Sequence, residues 1–419
     1  MDSATPKHVI DDFSLNILVL ALMLLALIVS PILLLSVSAG VLLFEHKRAG
    51  KIAILGLSIS FSLFAVHIDP NYGDLLRYYC ILDVIEHFDL NQTIAYFNDG
   101  LLAENILLWA VAQTGKFFLL PAISTGVVYY VSMYITGKTA EYYDQTQNIK
   151  WIILLQIFLL PFTSIAHNVR NVLAFALLAL ALYRDVFMHK LNVATVILYV
   201  IASLMHTSAI LLVLARLLMP IIKKSYTVII VGILLSGVGL NIGYAYSDIF
   251  SGIPLVQKMI VKAYRYLSDS STDYGQIVAA STLQNVLKIL FVFLTLLIAF
   301  FLITASKKKA TCAYDKRHDN WNHLVFFTAT FVLFCCFQYT TPMYWRFFIV
   351  ISMALSTVIL SNHTKDTKTV FSKKFLSISF FGAGIAFLDL LAAFSKYDIF
   401  NWMIQYTLNQ PFSIFSLFE

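Results

Sequence analysis

Apolar residues run through this chain in blocks longer than the core helix of a soluble domain needs, separated by short polar turns. The blocks fall at 15–44, 52–66, 105–135, 151–165, 172–186, 193–219, 227–246, 285–304, 323–339, 347–360 and 375–394. Pro31 divides the first, which is therefore one kinked span or two short pieces, and charge favours a single crossing with an outside N-terminus. Lys116 and Pro121 break the third into a short surface helix and an inward span. Residues 193–219 reach only about 40 Å as a helix, too little for two full crossings. Lys190 before them, with Lys223 and Lys224 after, puts both ends on one side. The spacing therefore predicts two half-length helices meeting at Met205, His206 and Thr207, a break tolerated in a membrane only under cover of protein or a wet cavity. The expected fold is an all-α polytopic membrane protein of about 12 transmembrane helices, some broken or half-length, with short external interfacial helices. It forms one domain over residues 1–419.

Composition agrees. Hydrophobic residues make up 59% of the 419 and charged residues 12%, which excludes an ordinary soluble domain. The net charge of +6 reads as a topology signal and not as a nucleic-acid footprint, because the basic residues gather in loops that the threading places inside. Acids precede the first apolar block and Lys47, Arg48 and Lys51 follow it, the reverse of a cleavable signal peptide. Cys80, Cys312, Cys335 and Cys336 have neither zinc nor redox spacing. With no D-x-D pair and no HExxH, the sequence leads us to expect neither metal nor cofactor.

The polar chemistry gathers on segments threaded outside. Residues 67–104 form the first external loop, where Pro70 and Gly73 mark a turn and helical spacing sets Asp74 one turn ahead of Arg77 and Tyr78 on one face. Asp74 and Arg77 could equally be a solvated pair. Glu104 closes that loop, His167 and Arg170 sit at the tip between two spans, and Arg346 follows a late turn. The largest external loop, 247–282, carries an amphipathic helix over 256–267 that should lie on the outer leaflet, with Arg265 on its basic face. Arginine offers a planar, permanently charged fork, so arginines converging from separate loops suit a lipid-linked phosphate or pyrophosphate. An attacking sugar hydroxyl needs a base, for which Asp74 is the first candidate and Glu104 and His206 the next. The plain alternatives are that Asp74 orients Arg77, that Glu104 salt-links a surface helix, and that His206 bonds a carbonyl at the helix break. Gln156 and Gln338 are read as bridges between neighbouring helices.

In order along the chain stand P-x-x-G-D-x-x-R-Y-Y from Pro70 to Tyr79, N-x-R-N-x-L-A-x-A-L from Asn168 to Leu177, A-S-x-x-H-T-S-A from Ala202 to Ala209, and Y-W-R-F from Tyr344 to Phe347. This series resembles the EpsG and Wzy group of bacterial polysaccharide polymerases. The resemblance implies a metal-independent glycosyltransferase of GT-C-like fold in the bacterial inner membrane, its site facing the periplasm or exterior. It would move a growing glycan from undecaprenyl pyrophosphate onto the next lipid-linked repeat unit, making O antigen, capsule or exopolysaccharide. Its partners would be the lipid-linked donor and acceptor, membrane lipid, a chain-length regulator and a flippase. By the same likeness Arg170, His206 and Arg346 would bind and activate the donor pyrophosphate, with Asp74 and Arg77 beside the acceptor. Where many relatives carry an arginine and an Asp-Tyr pair after the second span, this chain has His67 and Gly73-Asp74-Leu75. A ligase moving glycan to a lipid A core would use the same donor, but usually has one larger external loop. A flippase would bury charges midway along several helices, whereas here ionisable groups sit at span ends.

Overall fold

The computed structural model describes residues 12–44, 48–71, 73–145, 149–222, 226–250, 257, 260–261, 282–308, 319–338, 343–360 and 373–396. Every regular element among them is helical. The first apolar block takes the two-piece form of its two expected ones. It divides at Ser30 into α1 (Asp12–Val29) and α2 (Pro31–Phe44), where Pro31 takes the first position of the new helix. Met23 of α1 and Ser38 of α2 both border Gly56 of α3 (Arg48–Val66), so the chain bends back sharply at Ser30. A side chain at Gly56 would strike both, and its absence lets the three helices close.

After α3 come three short helices, α4 (Gly73–Ile85), α5 (Leu90–Phe97) and α6 (Leu102–Ala112), then the long α7 (Leu119–Tyr142). Asp89 and Gln92 cap α5 reciprocally, which fixes its start. Pro121 sits in the first turn of α7, where a missing amide hydrogen costs no helix bond. By contrast Pro161 ends α8 (Ile149–Leu159) and separates it from α9 (Phe162–His167). The Leu160 carbonyl at that break accepts a 2.5 Å hydrogen bond from the Tyr129 hydroxyl.

The centre is built from α7, α10 (Val169–Leu182) and two later helices, α16 (Asp319–Gln338) and α17 (Met343–Leu360). Between these stretches of chain lie α11 (Val193–Met205), α12 (Ala209–Leu217), α13 (Met219–Ile222), α14 (Tyr226–Ala245) and α15 (Thr282–Lys308), while α18 (Lys373–Lys396) comes last. The break between α11 and α12 falls at His206 to Ser208, where the length of the apolar block places it. Inside, Phe175, Tyr183, Phe347 and Phe348 are fully buried. Outside, Leu235, Ile242, Phe300, Phe380 and Phe387 are exposed, so these helices are apolar on their outward faces too. Among the described residues Leu119–Tyr142 is the one helix long and apolar enough to cross a membrane by length and composition.

Gln156 of α8 joins three helices. Its Oε1 accepts from Ser132 at 2.7 Å and Thr136 at 2.6 Å, and its Nε2 donates to the Ser352 carbonyl at 3.3 Å. Replacing it with leucine removes the acceptor of the Ser132 hydroxyl within the core and leaves Thr136 only the Ser132 carbonyl at 3.1 Å. Gln156→Leu is expected to lower stability by about 1–3 kcal/mol, measured by denaturant titration, with helix content unchanged. The side chain of Gln338, the other expected bridge, lies outside the described residues.

Candidate functional site

One end of the bundle carries most of the predicted site. There α4 buries a stripe of Leu75, Tyr78, Leu82 and Ile85, spaced for one helical face, against Leu108 and Val111 of α6 and against Ala166 and Val169. The side chains beside this stripe reach the chemistry. Glu104, 4% exposed, lies in the first turn of α6, and Arg170 lies in the first turn of α10 just after the break at Asn168. The two meet: Nη1 of Arg170 donates to both carboxylate oxygens of Glu104 at 3.0 Å. The Tyr78 hydroxyl reaches Oε1 of the same carboxylate at 3.4 Å. Asp74, half-buried one turn earlier, adds its charge to the field on both Arg170 and Tyr78.

Burial sets the electrostatics. It lifts the Glu104 carboxyl above the ordinary carboxylate range, against the pull of Arg170. It also raises the Tyr78 phenol, so Tyr78 stays a hydrogen-bond donor. For Arg170 burial works against the charge, but the carboxylates of Glu104 and Asp74 hold the guanidinium protonated more firmly than usual. Burial depresses the imidazole of His67.

Every hydrogen bond that Arg170 makes among the described residues comes from Nη1. Among the described residues its Nε is buried with no acceptor. Two acceptor atoms on the neighbouring positions, Oδ1 of Asn105 and Oδ1 of Asn171, are likewise buried without a donor. A single nitrogen thus holds the carboxylate, and the edge formed by Nε and Nη2, the geometry that accepts two oxyanion oxygens side by side, is not used by Glu104.

The other expected residues fall as follows. Arg77 is exposed while Tyr78 is buried, so they do not share an environment: Tyr78 lies on the packed stripe and Arg77 on its solvent side. Among the described residues the ion pairs are Lys51 and Lys138 with Glu141, Arg170 with Glu104, and Arg216 with Asp185, so Asp74 and Arg77 are not paired. His167 has both ring nitrogens against backbone carbonyls, Thr163 at 2.8 Å and Asp69 at 3.3 Å, and ties α9 to the turn after α3. His206, 2% exposed, accepts at Nδ1 from the Ser208 amide at 3.1 Å. That amide stands at the start of α12 and is one of the donors a helix start leaves unpaired. The ring proton then sits on Nε2, and the neutral ring offers a donor there and no base. Arg346 shares the end occupied by Arg170: Trp321 packs on Tyr183 at the far end of α10 and donates to Thr357 at the far end of α17, so those two helices run parallel. Arg346 is followed by Phe347, whose ring meets Phe175 at 5.1 Å, and Phe175 lies 6.0 Å from the His206 ring. Arg265, with most of the 247–282 segment and its expected amphipathic helix, lies outside the described residues.

Sequence reasoning missed a second buried group. Asp185 receives Nε of Arg216 at 2.6 Å, Nη2 at 3.0 Å and the Tyr199 hydroxyl at 3.1 Å, which fastens α11 and α12 to the end of α10. An arginine inside the apolar run of α12 was the available signal, since a charge there needs a partner. No three His, Cys, Asp or Glu side chains come together as a metal site among the described residues. No protein family, curated protein or solved structure matches this chain.

Proposed function

We propose that the protein is a multi-pass membrane glycosyltransferase that lengthens a lipid-linked glycan, with a diphosphate-lipid donor held by Arg170. The observation that carries this reading is the arginine edge at the head of α10, aimed by Glu104 and left without a carboxylate of its own. Diphosphate presents paired oxygens to such an edge, and a buried guanidinium stabilises the charge growing on the leaving oxygen. Helices apolar both inward and outward support a lipid surround, in which the shorter helices share crossings in pairs. In the same reading Arg346 supports the donor from the head of α17. Asp74 takes the proton of the attacking sugar hydroxyl, since Glu104 is committed to Arg170 and His206 to Ser208. The order of motifs that resembles the EpsG and Wzy polymerases adds to this reading.

Asp74→Asn is expected to abolish glycan lengthening while donor binding stays within about twofold, because the amide keeps the shape and loses the base. Binding measured by titration of the purified variant checks it, and loss of binding would make Asp74 structural. For the function as a whole, electrophoresis of surface glycan from a deletion strain decides. A polymerase leaves single repeats outside; repeats trapped inside would point to a flippase, and unchanged chain length would exclude both.

A further inference from the structure

A cavity of about 500 Å³ opens at the other end of the bundle, lined by Tyr134, Lys138 and Glu141 of α7, Tyr183 and Arg184, and Lys190 with Asn192 ahead of α11. Its position follows from the helix directions: Glu141 pairs with Lys51 at the start of α3, whereas Glu104 and Arg170 gather beyond the end of α3. The π-helical turn Tyr183–Phe187 builds it. This wide turn sends Asp185 to Arg216 and Tyr199, and Arg184 toward Thr195 and Asn192. Such turns interrupt a helix at some cost and recur at functional sites.

The charge of the cavity is unbalanced. Three cations line it against one carboxylate, and Glu141 is already shared by Lys138 at 2.7 Å and Lys51 at 3.3 Å. Arg184 has no carboxylate partner among the described residues. It is held by neutral oxygens, Nε on the Thr195 hydroxyl at 3.1 Å and Nη2 on Asn192 Oδ1 at 3.3 Å. Asn192 in turn caps α11 through the Thr195 amide at 3.1 Å, so the acceptors that fix the guanidinium are themselves fixed. A guanidinium positioned by uncharged groups keeps its full charge for a ligand. Lys190, exposed on the rim, adds a second cation without a carboxylate partner among the described residues.

We propose that this cavity binds a phosphate ester. A fixed guanidinium with an unpaired ammonium on the rim, beside the Lys138–Glu141 pair, matches a tetrahedral oxyanion with several charged oxygens better than it matches a lone carboxylate. The volume leaves room for the glycerol or sugar that carries the phosphate, against the tyrosine walls. Two sources share this chemistry, the headgroup of an anionic lipid and a free phosphate ester. The lipid source rests on the membrane reading above, and the free ester does not.

The test uses the full chain, purified, with binding read by native mass spectrometry and by the shift in unfolding temperature, and no glycan readout. Phosphatidylglycerol is compared with phosphatidylcholine, and sn-glycerol 3-phosphate with glycerol. The site predicts at least tenfold preference for the anionic member of one pair, reduced at least tenfold in Arg184→Gln and in Lys190→Gln. The second variant changes only an exposed side chain and keeps the test valid if Arg184→Gln folds poorly. Preference within the lipid pair alone assigns a headgroup, and preference within the soluble pair assigns a free ester. No preference in either pair, or a preference that both variants retain, overturns the proposal. Because neither outcome depends on glycan length, failure here and failure of the transferase reading are separately visible.

Discussion

Glu104→Leu should destabilise the protein by about 3–5 kcal/mol, while Arg170→Met should cost only about 1–3 kcal/mol. The asymmetry comes from proton chemistry. Without Arg170 the buried carboxyl takes up a proton and becomes neutral, a change that burial already favours. Without an acceptor at 104 the guanidinium has no such escape, since it cannot lose its proton, and Nη1 then joins Nε as a buried donor with nothing to bond. Glu104→Gln should cost clearly less than Glu104→Leu at pH 7, because the amide oxygen still accepts from Nη1 although the second oxygen is replaced by a donor. The double variant Glu104→Leu with Arg170→Met should recover most of the stability lost in Glu104→Leu. Long-chain glycan separates structure from function. It should vanish in every variant that lacks Arg170, the recovered double variant included, and persist in Glu104→Gln. Denaturant titration and glycan electrophoresis on the same four variants check both halves.

The pH dependence has a definite sign. Glu104 has a folded pKa above its unfolded value, so its contribution to stability is fully present below the unfolded pKa and is lost as pH rises through the folded one. Glu104→Gln should remove that part of the slope. A difference in slope between wild type and Glu104→Gln of the opposite sign would mean that Arg170 outweighs burial.

The second large effect is expected at Asp185. Asp185→Ala leaves the Arg216 guanidinium and the Tyr199 hydroxyl without their shared acceptor, and the side chain that fastens both half-length helices is lost. Arg216 is partly exposed and can turn toward solvent, so the cost should lie near 2–4 kcal/mol and below that of a fully enclosed charge. The break at His206 should loosen with it. Hydrogen exchange should rise across α11 and α12 first, and protection unchanged there would show that packing alone holds the pair.

How much of this could be read from the residues follows from where the physics is local. The break at His206 is legible because helix rise is fixed and an apolar block of that length cannot cross twice. The division at Pro31 is legible as a place, but its sharpness depends on Met23 and Ser38 meeting the bare backbone of Gly56, which periodicity does not encode. On α4 the spacing groups Asp74, Arg77 and Tyr78, yet the packed stripe through Leu75 and Leu82 takes Tyr78 inward and leaves Arg77 out. Arg170 and Glu104 were each recognisable as polar groups at turns. Their union, 66 residues apart in sequence, was not, nor was that of Arg216 with Asp185, 31 apart. An ion pair between distant segments leaves no periodic trace, so Glu104 and Arg170 could be named but not paired, and Asp185 with Arg216 was missed.

The most direct test is glycan lengthening by the purified protein in lipid nanodiscs, given an undecaprenyl-pyrophosphate-linked donor and acceptor. Wild type should join repeats, and Arg170→Lys, which keeps the charge but loses the two-pronged edge, should fall at least a hundredfold at unchanged folding stability. Lengthening by Arg170→Lys at the wild-type rate, or none by wild type itself, would contradict the account.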